Sequence, residues 1–263
     1  CIYRSKHSGV STNNNVGTSD PLFTDANNDD YTLQSTSPAI DAGSSSYAPA
    51  TDINGLSRPQ GNADDLGCYE MQINTWQGGT AGNETVWSNA GNWSTGVVPA
   101  STENVSIANT TYDPVLNADD QVGDITVESG GLLSISSNYK LTASSVNLKS
   151  GGTINISNGE LECTGKMNAD GTLTISGGIL DVNGEFELSA SSAENISGGT
   201  IYCAGDWNGS LATNYTITGG TVVLDGGSSG SGKLLQMDNK EDVAPFTGDS
   251  YFHNLTISGY YYL

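Results

Sequence analysis

Aliphatic and polar residues alternate in short segments along the second half of the chain, and glycines separate these segments. Four segments align without a gap: Gly159-Glu-Leu-Glu-Cys-Thr-Gly, Gly178-Ile-Leu-Asp-Val-Asn-Gly, Gly199-Thr-Ile-Tyr-Cys-Ala-Gly and Gly220-Thr-Val-Val-Leu-Asp-Gly. Their first glycines are 19, 21 and 21 residues apart. Alternation of this kind predicts strands with one buried face. A unit this short cannot bury its own apolar face, so the repeats are expected to stack on one another.

A period of about 21 residues fits three short strands and three turns, which make one coil of a parallel β-solenoid. Equivalent side chains of successive coils then lie about 4.8 Å apart, in columns. The expected inward columns are Leu161, Leu180, Ile201 and Val222, then Cys163, Val182, Cys203 and Leu224, and a third that aligns Trp207 with Phe186 and Met167. Two coils separate Cys163 from Cys203, which is too far for a disulfide, so both are expected to fill the core. Helix is disfavoured throughout.

Proline and arginine divide the 263-residue chain near residues 72–75. All arginine precedes this boundary, and so do Pro21, Pro38, Pro49 and Pro59. Because proline cannot donate to a strand ladder, the proline-poor remainder favours continuous sheet. We therefore expect two parts, 1–73 and 74–263. The first residues do not resemble a natural start and the pattern stops within a repeat, so we expect a piece of a longer protein whose second part is incomplete at its C-terminus.

The charge balance excludes several kinds of partner. The chain has 29 acidic and 8 basic side chains, for a formal net charge of -21. A nucleic-acid interface needs a basic stripe, and an anionic membrane surface would repel this chain. We expect no direct membrane insertion, because no apolar run approaches the roughly 20 residues that span a bilayer.

Five blocks of the first part occur in a specific order: Asp20-Pro-Leu-Phe-Thr-Asp, Asp30-Tyr-Thr-Leu, Ser35-Thr-Ser-Pro-Ala-Ile-Asp-Ala-Gly, Asp52-Ile-Asn-Gly-Leu-Ser-Arg-Pro and Asp64-Asp-Leu-Gly-Cys-Tyr-Glu. Over about residues 20–70 they resemble the closing segment of secreted bacterial right-handed parallel β-helix proteins, the pectate-lyase-like superfamily common on Bacteroidota surfaces. Leu66 and Cys68 depart from that pattern by small apolar exchanges. The resemblance implies an all-β, right-handed parallel β-helix or β-solenoid in two consecutive modules, with residues 1–73 closing the first.

The second part opens with Trp76-Gln-Gly-Gly, then Trp87-Ser-Asn-Ala-Gly-Asn-Trp-Ser-Thr-Gly-Val-Val-Pro and Asn104-Val-Ser-Ile. This opening, over about residues 75–107, is similar to that of repetitive β-solenoid modules in secreted bacterial surface proteins. The resemblance implies an extracellular or cell-surface location and the type IX secretion or outer-membrane anchoring machinery as partners. Polysaccharides or other cell surfaces are further possible partners.

The two reactions that a β-helix commonly supports each need characteristic catalytic groups. A polysaccharide lyase needs a basic residue beside calcium-binding carboxylates, but Arg58 is better explained by an ion pair that locks the turn from Asp52 to Pro59. The lysines at 140, 149, 166, 233 and 240 look isolated. Glycoside hydrolysis needs two facing carboxylates, whereas the pairs at 29–30, 64–65 and 119–120 are expected to be solvated. His7 and His253 lack a nucleophile signature. We expect no catalytic residue in this chain.

The sequence also contains two candidate binding sites. Asp25, Asn27 and Asp29 place oxygen ligands at alternating positions, as a calcium loop does, although a turn capped by its own side chains explains them equally well. Otherwise no cofactor is expected. Trp87 and Trp93 could stack on a carbohydrate, or with Trp76 they could cover the first coil, since an open solenoid end exposes core and strand edge.

The expected function is structural: a rigid stalk or adhesin body within a large, acidic surface protein that mediates cell adhesion. One alternative is a carbohydrate-active β-helix enzyme, a lyase or glycosidase, with its site upstream. The other is a carbohydrate-binding module.

Overall fold

A computed structural model describes residues 20–34, 37–44, 46, 48–60, 63–209, 216–228, 231–236 and 252–262. The chain divides into two compact units, Cys1–Ile73 and Asn74–Leu263. Helix is limited, in these ranges, to single 3-10 turns at Ala26–Asn28 and Ala90–Asn92. None of the described helical segments is long and apolar enough to cross a membrane. The expectation of an almost helix-free, all-β chain is confirmed.

The first unit contains one antiparallel hairpin, formed by β1 (Phe23–Asp25) and β2 (Asp30–Leu33). Its small core is made of Leu33, Ala39 and Leu66. The rest of the described unit consists of turns and loops. Its interpretation as the closing segment of a parallel β-helix remains a prediction.

The second unit is built from short strands that follow one another around a coil. In chain order they are β3 (Ile73–Trp76), β4 (Asn104–Ile107), β5 (Asp120–Val127), β6 (Leu132–Ile135), β7 (Lys140–Leu148), β8 (Thr153–Ile156), β9 (Glu160–Cys163), β10 (Met167–Ala169), β11 (Thr172–Ile175), β12 (Ile179–Val182), β13 (Phe186–Leu188), β14 (Ala193–Ile196), β15 (Thr200–Cys203), β16 (Trp207–Asn208), β17 (Thr216–Ile217), β18 (Thr221–Leu224), β19 (Lys233–Gln236), β20 (Leu255–Ile257) and β21 (Tyr261–Tyr262).

These strands stack in parallel as a β-solenoid of about 5 turns. In a typical coil the chain runs through β9, β10 and β11, and the next coil repeats this order in β12, β13 and β14. The long strands β5 and β7 each pass through one corner, because β7 pairs with both β9 and β10. At about 4.8 Å per coil, five turns rise by about 24 Å.

The observed register confirms the predicted columns. Leu180 pairs in register with Leu161 and with Ile201, which in turn pairs with Val222. The column of Cys163, Val182, Cys203 and Leu224 is also in register, and so is that of Met167, Phe186 and Trp207. Cys163 and Cys203 are free and buried, as expected. The spacings of 19, 21 and 21 residues are therefore the register of the sheet.

Glycine corners allow the coils to approach one another closely. Gly178 and Gly199 have φ values of 73° and 72°, which side-chain-bearing residues rarely adopt. At Gly205 a Cβ atom would collide with the backbone of Gly184, one coil away. These corners can therefore hold only glycine without a shift in the backbone.

One inward column changes from aliphatic side chains to a carboxyl group along the solenoid. Leu133, Ile154 and Leu173 occupy equivalent positions of β6, β8 and β11, and Glu194 occupies the next one, in β14. Glu194 is only 9 % exposed, and neither of its carboxylate oxygens has a hydrogen-bond partner among the described residues. Burial raises the pKa of this carboxyl group. Glu194 is therefore a polar interruption of this column among the described coils.

Candidate functional site

Three tryptophans pack together at the start of the solenoid. Trp76 and Trp93 have ring centroids 5.1 Å apart in an edge-to-face arrangement, and those of Trp87 and Trp93 are 4.7 Å apart. All three rings are at most 2 % exposed. Their indole N–H groups donate to Tyr112 O, Asp120 Oδ2 and Trp87 O, so each buried polar end has a partner.

This burial bears on the two roles considered for the tryptophans. A sugar stacks on an open ring face, and Trp87 and Trp93 present none in this structure. Buried Asn92 ties the same segment together by donating to Asn83 O and Val86 O and accepting from Thr80 N. The arrangement fits the covering role, in which the tryptophans close the first coil. We name Trp76, Trp87 and Trp93 the tryptophan cap.

The proposed calcium ligands lie in the hairpin turn of the first unit. Asp25 Oδ2 accepts from Asn28 Nδ2 at 2.6 Å, and Asp29 Oδ1 accepts from Tyr31 Oη at 3.2 Å. Asp29 adopts a left-handed conformation with φ 62°, and Asn27 lies within the 3-10 turn. All three predicted ligands are exposed. Within the described ranges, no three acidic, histidine or cysteine side chains come together to hold a metal ion. Both contacts join side chains within the hairpin segment, and Asp25 makes no capping bond to the backbone of the turn.

Arg58 forms a buried ion pair with Glu70 that closes the first unit. Arg58 Nη1 lies 2.9 Å from Glu70 Oε1, and the two side chains are 3 % and 0 % exposed. The same guanidinium donates to the carbonyl oxygens of Asp65 and Gly67. This ion pair fits the turn-locking role expected for Arg58. Its partner is Glu70 and not Asp52.

Buried carboxylates around Arg58 accept backbone N–H groups from separate loops. Asp52 accepts from Asn54, Leu56 and Glu70, and Asp65 accepts from Asp41 and Met71. Burial raises the pKa of Asp65 and of Glu70, and the positive charge of Arg58 opposes that shift. The expectation that the 64–65 pair is solvated is wrong: Asp64 and Asp65 are 1 % and 5 % exposed. The Asp65 carboxylate belongs to this network, and the backbone carbonyl of Asp64 accepts from Gly43 N.

Two lysines that look isolated along the chain are paired across coils. Lys140 Nζ lies 2.7 Å from Glu160 Oε1 and 3.0 Å from Glu162 Oε2, and these partners stand one coil away on β9. Lys166 Nζ pairs with Glu185 and Glu187 in the same way. The prediction of isolated lysines is therefore wrong for Lys140 and Lys166. Within the described ranges it holds for Lys149 and Lys233, whereas Lys240 lies outside them.

These ion pairs favour the protonated form of both amines. Hydrogen bonds with Glu160 and Glu162 raise the pKa of Lys140. Burial acts to lower the pKa of Lys166, but its hydrogen bonds with Glu187 and Glu185 raise it overall. A lysine that serves as a general base needs a lowered pKa. Neither side chain meets that requirement.

The buried thiols of Cys163 and Cys203 are also expected to be unreactive. Burial raises the pKa of Cys163 to about 11 and that of Cys203 to about 12. Both therefore stay protonated, and a thiol is a poor nucleophile. Cys68 and His253 are exposed, and Cys1 and His7 lie outside the described residues.

A groove of about 390 Å³ lies on the first unit, and no motif in the sequence indicates it. Its lining is mostly apolar and comes from the hairpin and from a later loop: Phe23, Tyr31, Leu33, Leu66, Gly67, Cys68 and Tyr69. No periodic pattern connects these two segments, so only the fold brings them together.

Comparison with known proteins places part of the chain. Residues 75–177 match the family described as "Domain of unknown function (DUF8693)". No curated protein and no solved structure matches the chain. The matched segment begins beside the tryptophan cap and continues through the solenoid to the end of β11. That segment of the solenoid is therefore similar to DUF8693.

Proposed function

We propose that the chain is a non-catalytic structural segment of a larger secreted or cell-surface protein, in which the solenoid is a stiff body that spaces or displays binding regions. The observation that supports this most is the unbroken register of the inward columns from β7 to β18. When each coil repeats the contacts of the one before, coils can be added without changing the plan. The acidic surface opposes aggregation of such a body.

Export by the type IX route, attachment at the bacterial outer membrane and adhesion to polysaccharides or other cells complete this proposal. They rest on the resemblance of residues 20–70 and 75–107 to secreted surface proteins.

The described arrangement closest to a catalytic one is the outward pair of Glu162 and Asp181, which are neighbours in register on β9 and β12. Their pKa values move apart: hydrogen bonding to Lys140 lowers that of Glu162, whereas burial and then the charge of Glu162 raise that of Asp181. Divergence of this kind is typical of acid–base pairs in glycosidases. It is therefore the strictest test of a non-catalytic role.

The first experiment tests whether the chain cleaves polysaccharides. The chain is incubated with neutral and acidic polysaccharides, and reducing ends and unsaturated products are measured together with those of Asp181→Asn and Lys140→Met. We expect no product above the blank with any of the three proteins. Turnover by the original chain that Asp181→Asn or Lys140→Met removes would replace the structural proposal with an enzymatic one.

The second experiment asks whether the solenoid behaves as an extendable body. A second copy of residues 132–152, one coil whose inward side chains are all aliphatic, is inserted after residue 152. We expect unchanged or higher thermal stability and a particle longer by about 4.8 Å in solution scattering. A matched insertion of 21 glycine and serine residues should lower the stability. If the duplicated coil is as harmful as the flexible insert, the additive solenoid is contradicted.

A further inference from the structure

A groove of about 250 Å³ lies on the outward face of the sheet that contains β6, β8 and β11. Three of its polar side chains stand in register on these strands, and three more follow directly after the strand ends. They are Ser134, Asn155 and Thr174, then Ser136, Ser157 and Ser176. We name these six residues the polar groove.

The side chains of the polar groove make no hydrogen bond to any described residue. Polar side chains on the sheet that contains β7 and β9 behave differently, because they pair across coils. Thr142 Oγ1 donates to Glu162 Oε2 at 3.1 Å, and Ser145 Oγ donates to Asp124 Oδ1 at 2.7 Å. The hydroxyl and amide groups of the polar groove therefore keep their donor and acceptor capacity for a ligand.

The polar groove is also uncharged. The strands β6, β8 and β11 contain no acidic or basic residue, in a chain whose formal net charge is -21. A phosphate or carboxylate would find no basic partner there, and a cation would find no acidic one. Ile156 is the one apolar residue among the described lining and is only 1 % exposed, so the groove offers no anchor for a protein partner. These features favour a neutral ligand that forms many hydrogen bonds.

We propose that the polar groove binds a neutral, unbranched polysaccharide whose chain lies along the solenoid axis. Sugar hydroxyls both donate and accept hydrogen bonds, as the serine and threonine side chains of the groove do. Equivalent side chains recur about every 4.8 Å along the axis, and Asn195 continues the column of Asn155 and Thr174. A repeating ligand therefore meets similar groups at each coil. This inference rests on the polysaccharide adhesion in the proposed function and gives that adhesion a site.

Calorimetric titration of the intact chain tests the proposal. The probes are cellohexaose, xylohexaose and chitohexaose, with hexagalacturonic acid as the acidic control. We expect at least one neutral oligosaccharide to bind more tightly than the acidic one, with a Kd that added salt leaves unchanged. Binding of none of the three neutral oligosaccharides, or tighter binding of hexagalacturonic acid, would overturn the proposal.

Paired variants test whether the polar groove is the site. Asn155→Val and Thr174→Val each remove hydrogen-bonding groups and introduce a residue that suits a strand. Each should raise the Kd about fivefold, which corresponds to the loss of one ordinary hydrogen bond. The matched controls are Asn147→Val and Thr126→Val, an in-register pair on the other sheet, and they should leave the Kd unchanged. Thermal unfolding of all four variants shows whether any change in Kd comes from a lost fold.

Nuclear magnetic resonance locates the bound oligosaccharide independently of the variants. The side-chain amide signals of Asn155 should shift on binding, and those of Asn147 should not. If the chain binds a neutral oligosaccharide and Asn155→Val and Thr174→Val bind it equally well, the groove is wrong although the adhesion stands. The duplicated-coil experiment tests the stiff body without any ligand, so its failure is distinguishable from a failure of this site.

Discussion

The first unit connects its loops through buried carboxylates around one arginine, whereas the second stabilises its coils with columns of aliphatic and aromatic side chains. In the first unit Asp52 accepts the backbone N–H of Glu70, Asp65 accepts that of Asp41, and Glu70 accepts that of Gln60, which joins loops that are 10 to 24 residues apart in sequence. In the second, Leu180 contacts the same kind of residue above and below. If one partner of a buried ion pair is removed, the other is left as an uncompensated buried charge. In a column, the stabilisation comes from many weak contacts, so removing one side chain costs only part of it.

The most severe test of this difference removes Arg58. Arg58→Met leaves Glu70 buried without its counter-ion and should destabilise the first unit by about 3–5 kcal/mol. Hydrogen exchange at the amides of Leu66 and Met71, which bond within this unit, measures that loss locally. Glu70→Gln in the same background should recover part of it, because the uncompensated charge is gone. If Arg58→Met costs under about 1 kcal/mol, the ion pair does not hold the loops.

A cavity in a column should cost somewhat less. Leu180→Ala removes a fully buried side chain between Leu161 and Ile201, and we expect a loss of about 2–5 kcal/mol in the free energy of unfolding. Leu255→Ala is the matched change on β20, where the side chain is 42 % exposed among the described residues, and it should cost less than half as much. Equal losses in denaturant titrations would contradict the dependence of this cost on burial.

These two regions also differ in how far the sequence predicts them. The columns were predictable because each coil of a solenoid repeats the pattern of the coil before it. The spacing of Gly159, Gly178 and Gly199 therefore gives the residues that pair between neighbouring coils. The same register places Glu160 beside Lys140, and charges that look isolated along the chain are therefore paired across coils. The network around Arg58 has no such period. Its donors are backbone N–H groups, which every residue carries, so no pattern of side chains indicates which loops meet.

Glu194 is the exception within the columns, and replacing it should stabilise the protein. Its position follows Leu133, Ile154 and Leu173, so Glu194→Leu continues the aliphatic column and removes a buried carboxyl group that only Ser192 and its own backbone amide help to offset. We expect a gain of about 1–3 kcal/mol in the free energy of unfolding at neutral pH. Ala193→Leu, an exposed change on the same strand, should have little effect.

The gain from Glu194→Leu should also depend on pH. Burial raises the pKa of Glu194 above its ordinary value of 4.5, so the folded state prefers the protonated form. The contribution of this group is fully present below its unfolded pKa and is lost as pH rises through the folded pKa. Between about pH 4.5 and neutrality, the original chain should therefore lose stability relative to Glu194→Leu. A difference in unfolding free energy that stays constant over that range would contradict a buried, titrating carboxyl group.

The smallest effect is expected at the ion pairs on the coil surface. Lys140 is 40 % exposed where it contacts Glu160 and Glu162, so water screens the attraction and each long side chain loses rotamer freedom. Lys140→Met should cost about 0–1 kcal/mol, and added salt should reduce that cost. Lys149→Met is the control, since Lys149 is exposed and has no ion pair among the described residues. A loss comparable to that of Arg58→Met would mean that charge, and not the columns, holds the coils together.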